Sequence, residues 1–381
     1  MPDDLRKHRQ SRVRGCLLGG AIGDALGWPV EFLTLDQICA KYGAAGIQDL
    51  ILDPRLGKAV VTDDTQMTLF TAEGVLRGIA RGNDRGIGGP ESTLPQSYRR
   101  WFMTQTGFEG FKPVMDGELK LLLGNTLATH GPLSGRVPEN SDDGYGVDRS
   151  GWLIREPALH IQRAPGTTCM SALRSYRYGQ GAPAQNDSKG CGGVMRVAPI
   201  GLVADTSVES VFDLACFAAG ITHGHPTGIL SAGVFAAMVR CLYDGASIEQ
   251  AVEAAQAILR ERREDLRETD DAITNAVRLA KSQRVSTPKL VAELGQGWVA
   301  EEALAIAILC AWRGEDSMGF EGALRMAVNH DGDSDSTGSM TGQLLGVRFG
   351  VDALPARWVD AVELRGVVKR MADDLVETYR G

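Results

Sequence analysis

A dense cluster of acidic and hydroxyl side chains near the C-terminal end most constrains how this chain can fold. Three carboxylates and three hydroxyls fall within residues 331–337, between an apolar segment and a run of small residues. Neighbouring anions repel one another, so such a cluster is costly in a half-buried place unless a cation lies among them. Carboxylate and hydroxyl oxygens suit hard divalent ions such as Mg²⁺, Mn²⁺ or Ca²⁺. The alternative is a solvated turn in which Asp335 or Ser336 caps the following helix.

A second acidic cluster, Thr62-Asp63-Asp64-Thr65, lies far upstream of the first. A helical pattern begins directly after it, so the helix dipole explains one of its aspartates. Two aspartates in succession, followed by another hydroxyl, exceed what a helix cap needs. Together the two clusters offer enough oxygen atoms to fill most of the coordination shell of one or two six-coordinate ions.

The bulk composition excludes several classes of protein. With 381 residues, of which 43% are hydrophobic, the chain can bury a large core as one big domain or two. The net charge of −8 argues against non-specific nucleic-acid binding, which needs a basic surface. Seven scattered cysteines without CxxC spacing argue against a zinc site or a disulfide framework and favour a reducing cytoplasm. The polar N-terminus predicts no secretory signal, and no apolar run is long enough to predict a membrane span.

Helical periodicity predicts an all-α fold. Apolar residues recur at helical spacing over stretches such as Thr65 to Arg81 and Val299 to Arg313, whereas strand-like alternation is nearly absent. We predict a single compact domain over residues 1–381, in which orthogonally packed helices are joined by long loops that carry the active site. The pattern decays over residues 107–165, which we interpret either as an irregular lid or binding loop or as a tolerated surface insertion.

The N-terminal helix predicted over residues 12–27 contains five glycines. Glycine weakens a helix, so we expect close packing against another backbone as compensation. Asp24 lies among apolar neighbours and therefore needs a polar partner. Glu31 follows in a proline-broken loop, where partial dehydration would raise its pKa and suit it to act as a general acid or base. An ordinary surface glutamate beside a turn is the alternative.

A polar, glycine-rich loop occupies residues 185–193, before an apolar segment. Such turns can present consecutive backbone N–H groups to phosphate oxygens, and Lys189 could add positive charge. A flexible linker is the alternative, and the absence of Walker spacing argues against a P-loop. Further on, His223 and His225 lie two residues apart, but no thiol or carboxylate motif accompanies them as a zinc site would require. A core or capping role is the default for both.

Five sequence blocks together resemble the ADP-ribosylglycohydrolase family, which includes the dinitrogenase reductase-activating glycohydrolases and the ADP-ribosylarginine hydrolases. The resemblance covers about residues 12–350. The blocks occur in the order Gly15–Gly27, Thr62–Thr65, Gly190–Gly201, Thr222-His223 and Gly332–Gly338.

This resemblance implies metal-assisted hydrolysis of an N-glycosidic bond to ADP-ribose. The expected cofactors are two Mg²⁺ (or Mn²⁺) ions, the expected substrate is an ADP-ribosylated protein, and the expected product is ADP-ribose. The implied metal ligands are Thr62, Asp63, Asp64, Asp333, Asp335 and Ser336. The implied substrate contacts are Ser188, Gly190, Gly192 and His223. Candidates for activating water are Glu31, Asp63 and Asp64, and Arg196 is expected to be a buried ion-pair partner instead.

Arginine is the expected acceptor, because the two acidic motifs resemble the arginine-specific branch more than the serine-specific one. Many relatives have threonine where this chain has Ser336, and the hydroxyl ligand is retained.

Two alternative functions stay open. The chain could hydrolyse another ADP-ribosyl compound or a phosphorylated nucleotide with the same oxygen cluster. It could also be a binding protein that shields a target from an ADP-ribosylating toxin, although the presence of all the expected carboxylates argues against an inactive relative.

Overall fold

A computed structural model describes residues 3–86, 89–106, 151–176, 182–262, 265–285 and 287–377. Helices dominate these ranges, which confirms the all-α prediction. The strands among them, β1 (Leu52–Asp53) and β2 (Lys58–Ala59), form a short antiparallel hairpin.

The helices follow one another along the chain as α1 Asp3–Gly27, α2 Leu35–Tyr42, α3 Asp63–Arg85, α4 Pro90–Thr106, α5 Thr167–Ser175, α6 Ala198–Gly201, α7 Val208–Gly220, α8 Pro226–Tyr243, α9 Ile248–Arg260, α10 Arg267–Ala280, α11 Pro288–Ala292, α12 Ala300–Arg313, α13 Gly319–Val328, α14 Ser334–Phe349, α15 Ala356–Ala361 and α16 Arg365–Glu377.

Local sequence explains where several helices begin. Thr34 and Ser247 each form a capping box with a glutamine three residues later, so α2 and α9 begin where two backbone N–H groups are satisfied. Thr62 caps α3 by accepting a hydrogen bond from the Asp64 N–H. Asp333 caps α14 by accepting one from the Ser336 N–H. The alternative interpretation, a solvated turn in which Asp335 or Ser336 caps α14, is therefore wrong, because Asp333 is the cap and the turn is buried.

Helical periodicity in the sequence also predicts one helix from Trp358 to Tyr379. This prediction is wrong, because the described residues form α15 and α16 with a break between them. At the break, Val362 pairs with Ala59 of β2 and the Glu363 N–H donates to the Ala59 carbonyl at 2.8 Å. Leu364 has a positive φ of 57°. The tertiary contact with the hairpin thus overrides the helical periodicity.

The centre of the fold is an antiparallel pair of helices, α1 and α14, whose backbones touch. A Cβ added to Gly19 would lie 2.3 Å from the Gly342 carbonyl oxygen, and one added to Gly23 would lie 2.0 Å from the Gly338 oxygen. This contact confirms that the glycines of α1 compensate their low helix propensity by close packing. Because the helices run in opposite directions, the C-terminal end of α1 meets the N-terminal end of α14.

Helix α8 is long and apolar enough to span a membrane, but 83% of it is buried inside the fold. A bent pair covering Arg6–Val30 and Leu35–Tyr42, at 92° to each other, is also long and apolar enough when taken as a unit. Such matches are weak evidence for a span, because core helices of globular proteins also give them.

Candidate active site

The two acidic clusters predicted to form a site meet at the N-terminal ends of α3 and α14. The Ser336 Oγ of the late cluster lies 3.4 Å from the Asp64 Oδ2 of the early cluster. Both segments are buried, with Asp64 at 2% and Asp335 at 3% exposure. Helix N-termini carry partial positive charge, so they favour the anions gathered there. The fold therefore brings together residues that lie 272 positions apart in the chain.

Glu31 joins the late cluster from the turn that follows α1. Carboxylate oxygens of Glu31, Asp333 and Asp335 all lie within 4.8 Å of one another. The loop before α5 closes another side, because the Gly166 N–H donates to the Asp63 Oδ2 at 3.2 Å. The Asp63 N–H donates to the Arg163 carbonyl at 2.9 Å. All six predicted metal ligands and Glu31 thus share one place, while their roles as ligands and catalysts remain predictions.

Burial and mutual repulsion disfavour the charged forms of these carboxylates. Loss of solvation, followed by repulsion from neighbouring carboxylates, raises the pKa of Glu31 to about 8. Loss of solvation and repulsion from Asp24 and Asp333 likewise raise the pKa of Asp63 to about 8. For the same reasons the pKa values of Asp64 and Asp335 lie well above their ordinary range. A cation among them would remove the repulsion.

The donor set fits a hard divalent cation. Glu31 Oε2 and Asp64 Oδ1 are buried oxygens without a hydrogen-bond partner among the described residues. A buried unpartnered carboxylate oxygen is costly, and coordination by Mg²⁺ or Mn²⁺ would satisfy it. Glu31, Asp333 and Asp335 would hold such an ion from one side, with Asp64 and Ser336 beside them.

Two aspartates that position backbone segments around the site were not among the predicted site residues. Buried Asp24 of α1 accepts hydrogen bonds from the backbone N–H groups of Thr62 and Thr65 and from the Thr65 hydroxyl at 2.5 Å. Its need for a partner was predictable from its apolar neighbours; its partner was not. Asp331 lies outside the acidic group and instead accepts a hydrogen bond from the Leu35 N–H, at the start of α2.

The glycine-rich loop lies between α12 and His223. The His223 ring is buried, and a Cβ added to Gly192 would lie 3.4 Å from its Cε1. Burial and the nearby Arg196 charge lower the His223 pKa to about 3, so its ring is neutral. Ser188 lies at the start of the loop, where its hydroxyl pairs with that of Thr168 at 3.0 Å. Gly190 lies in the same loop and forms a single antiparallel bridge with Val299.

The structure adds partners in this region that the sequence did not predict. The Lys189 ammonium pairs with Glu301 at 2.5 Å and Glu268 at 2.8 Å, so two carboxylates share its charge. The Cys191 N–H donates to the Trp298 carbonyl, so this N–H group of the loop is already satisfied. Arg196 is buried, but none of the described carboxylates pairs with it. It instead donates to the Ala218 carbonyl and the Thr222 hydroxyl, and its guanidinium lies over the Tyr98 ring.

His225 has the capping role expected by default, because its Nδ1 accepts a hydrogen bond from the Thr227 N–H at the start of α8. Most of the predicted irregular region, residues 107–150, lies outside the described residues. The remainder, 151–165, contains two short 3₁₀ turns, Leu153–Arg155 and Pro157–Leu159, and leads to the loop that contacts Asp63.

The raised pKa values predict how stability depends on pH. Glu31 and Asp63 titrate near 8 in the folded chain and near 4 when unfolded, so the folded form binds more protons in between. Their contribution to stability is complete below about pH 4 and is lost as the pH rises through about 8. We therefore expect the melting temperature in EDTA to fall from about pH 5.5 to about pH 8.5.

Saturating Mg²⁺ should flatten this fall, because the cation binds the anionic forms. The measurement is differential scanning fluorimetry across that range with EDTA or Mg²⁺, using Asp64→Asn as a variant with fewer charges and a shallower slope. Identical slopes with EDTA and with Mg²⁺ would contradict the electrostatic account.

Known proteins resemble this chain over almost its whole length. The family model described as ADP-ribosylglycohydrolase matches residues 5–381. The ADP-ribosyl-[dinitrogen reductase] glycohydrolase of Rhodospirillum rubrum is 24% identical, over 96% of this chain and 95% of the relative. The ADP-ribosylarginine hydrolase Tri1 of Pseudomonas putida is 24% identical, over 96% and 78%. A solved structure titled ADP-ribosylglycohydrolase-related protein complex superposes with a TM-score of 0.58 at 26% identity, covering 98% of this chain and 99% of that one.

Proposed function

Because the chain belongs to the ADP-ribosylglycohydrolase family, we propose that it hydrolyses the N-glycosidic bond between ADP-ribose and an arginine side chain of a modified protein. One observation carries the proposal: two acidic helix N-termini from opposite ends of the sequence meet across the 3.4 Å contact between Ser336 and Asp64. We further propose that the site holds two Mg²⁺ (or Mn²⁺) ions. Such ions, when bound, supply positive charge that orients the ribose hydroxyls and acidifies water.

The carboxylates of the chain have two tasks in this proposal. Cleavage of the C–N bond develops positive oxocarbenium character at the anomeric carbon, and nearby carboxylates stabilise that charge. Water supplies the oxygen that replaces nitrogen, and one of its protons must leave. A carboxyl group with a pKa near operating pH suits both uptake and release of a proton. Glu31 is the first candidate for this role, because its carboxylate lies within 4.8 Å of those of Asp333 and Asp335 and its Oε2 has no partner among the described residues.

The leaving group must also be protonated. The arginine must leave as neutral guanidine and not as its anion, so the substituted guanidine carries a proton when the C–N bond breaks, either from a local acid or because it is already a guanidinium. Water adds to the anomeric carbon, and the proton it releases restores the cationic arginine or the acid. Asp63 is the second candidate for moving a proton, since it is buried in the site and its Oδ2 accepts a hydrogen bond from the Gly166 N–H of the neighbouring loop.

Arginine as acceptor is supported by the two acidic motifs and by a relative that is named an ADP-ribosylarginine hydrolase. The neutral His223 ring against the glycine-rich loop supports a substrate surface there, with Ser188, Gly190 and Gly192 as further contacts. The names of the relatives reported above give no support to the alternative of a protein that blocks a toxin.

Release of ADP-ribose from an arginine-modified protein tests the proposal. We expect the purified chain to release ADP-ribose from such a protein in Mg²⁺ and to lose this activity in EDTA, with recovery when Mg²⁺ is added in excess. Chromatography of the free nucleotide measures the product. Parallel incubations with a serine-modified peptide and with ADP-ribosyl esters identify the acceptor. Equal release in EDTA would refute the metal requirement, and release from the serine or ester substrates alone would refute arginine as the acceptor.

A further inference from the structure

A pair of stacked aromatic rings, the exposed Phe32 and the half-buried Trp298, lies beside the acidic site and has no role in the mechanism above. The ring centroids are 5.1 Å apart and the ring planes differ by 24°. Phe32 is 67% exposed, the largest exposed fraction of any described aromatic side chain in the fold. Its position next to the acidic site leaves an aromatic ring open to a ligand bound there.

The turn that presents Phe32 is strained and yet firmly held. Phe32 has a positive φ of 65°, a conformation that residues other than glycine rarely adopt and that is concentrated at functional sites. The Leu33 N–H donates to the Val30 carbonyl at 3.0 Å, and the Leu35 N–H donates to Asp331 at 2.5 Å. Thr34 adds its capping box with Gln37. The backbone that carries the ring is thus held in place by these hydrogen bonds.

Both members of the pair adjoin the reacting groups through their own chain neighbours. Phe32 directly follows Glu31, whose carboxylate lies within 4.8 Å of those of Asp333 and Asp335. Trp298 follows Gly297, where an added Cβ would lie 3.5 Å from the Cβ of Asp333. The pair therefore borders the acidic cluster from two separate segments of the chain.

We propose that Phe32 and Trp298 form the acceptor subsite, on which the guanidinium of the modified arginine stacks while its C–N bond is cleaved. This inference rests on the proposed function. A planar cation over an aromatic face is attracted by the electrons of the ring. Phe32 contributes its exposed ring and Trp298 supports that ring from below, so the pair determines acceptor specificity and does not move protons.

The adenine base is the other flat group of the substrate, and its position argues against it as the occupant. In ADP-ribose a ribose, a diphosphate and a second ribose separate adenine from the anomeric carbon that reacts. The aromatic pair begins one residue from Glu31, next to the cluster where that carbon would lie. The acceptor nitrogen is bonded directly to this carbon, so the guanidinium is the flat group at the right distance.

The test compares binding and turnover in variants of Phe32. Cation–π contacts at exposed sites contribute about 0.5–1 kcal/mol, which corresponds to about a twofold to fivefold change. We expect Phe32→Ala and Phe32→Leu to raise KM for ADP-ribosylarginine by that factor, and Phe32→Trp to retain the wild-type value. Leucine is the matched control, because it keeps an apolar side chain but has no aromatic face. Trp298→Leu should behave like Phe32→Leu.

Free ADP-ribose, which lacks a guanidinium, separates this inference from the proposed function. Calorimetry should give the same Kd for ADP-ribose with wild type and with all four variants. A wild-type chain that binds ADP-ribose but does not cleave ADP-ribosylarginine would refute the proposed function and this subsite with it. If the wild-type chain cleaves ADP-ribosylarginine, the proposed function stands and the variants test the subsite alone. A wild-type KM in Phe32→Ala or in Phe32→Leu would then overturn the subsite. A rise in the Kd for free ADP-ribose as large as the rise in KM would also overturn it.

Discussion

Replacing Asp64 or Asp335 with alanine is expected to lower the rate of ADP-ribose release by about a thousandfold or more. These two aspartates lie on the two helix N-termini that meet at the site, Asp64 on α3 and Asp335 on α14. Removing either leaves the opposing carboxylates without a full set of ligands for a cation. Asp333→Ala should have an effect of the same size, because its carboxylate belongs to the group within 4.8 Å. Single-turnover release of ADP-ribose in saturating Mg²⁺ measures the loss.

The fold should survive these substitutions. The pKa values of Asp64 and Asp335 are raised because burial disfavours their charged forms, so removing either anion relieves repulsion in the metal-free chain. We expect the melting temperature in EDTA to be equal to or above that of wild type. The increase that Mg²⁺ causes in wild type should be lost. Asp352→Ala, which changes an exposed aspartate in the short turn after the C-terminal end of α14, is the control with unchanged activity. Full activity of Asp64→Ala would refute the shared site.

Much of the fold could be predicted from the sequence because the information is local. Helical periodicity predicts α3, α9 and α12 from their own sequences, and capping residues also mark the starts of α3 and α9. The break between α15 and α16 could not be predicted in this way. It depends on pairing of Val362 with Ala59, which lies 303 residues earlier in the chain. The hydrophobic periodicity of a segment does not depend on contacts with such distant residues, so it cannot predict them.

The candidate site was predictable in chemistry but not in geometry. Clustered carboxylates indicate a cation, since nothing else offsets their repulsion as well. The meeting of Asp64 with Ser336 needs the α1–α14 pair, and the antiparallel register of that pair is a tertiary property. Local sequence also does not predict which residues pair with the charged side chains near the site. Lys189 forms ion pairs with Glu268 and Glu301. Buried Arg196 donates hydrogen bonds to neutral acceptors and lies over an aromatic ring.

A single methyl group at the α1–α14 contact is expected to produce the largest loss of stability among substitutions of this size. In Gly342→Ala the new Cβ would lie 2.0 Å from the Gly19 carbonyl oxygen and 2.6 Å from its carbon, and neither backbone atom can move aside. Overpacking of this kind costs about 3 kcal/mol of unfolding free energy. The two helices must therefore move apart or slide along each other. Asp24 on α1 then loses its hydrogen bond from the Thr62 N–H.

The matched control is Gly366→Ala in α16, where an added Cβ meets nothing within 4 Å. Alanine forms helix better than glycine, so this variant should gain about 0.5 kcal/mol of unfolding free energy. Urea denaturation followed by circular dichroism gives both values. Because helix propensity favours alanine at both positions, opposite signs for the two changes can arise only from the backbone contact. A gain of stability in Gly342→Ala would mean that α1 and α14 do not touch, and the acidic helix ends would then lack the support that holds them together.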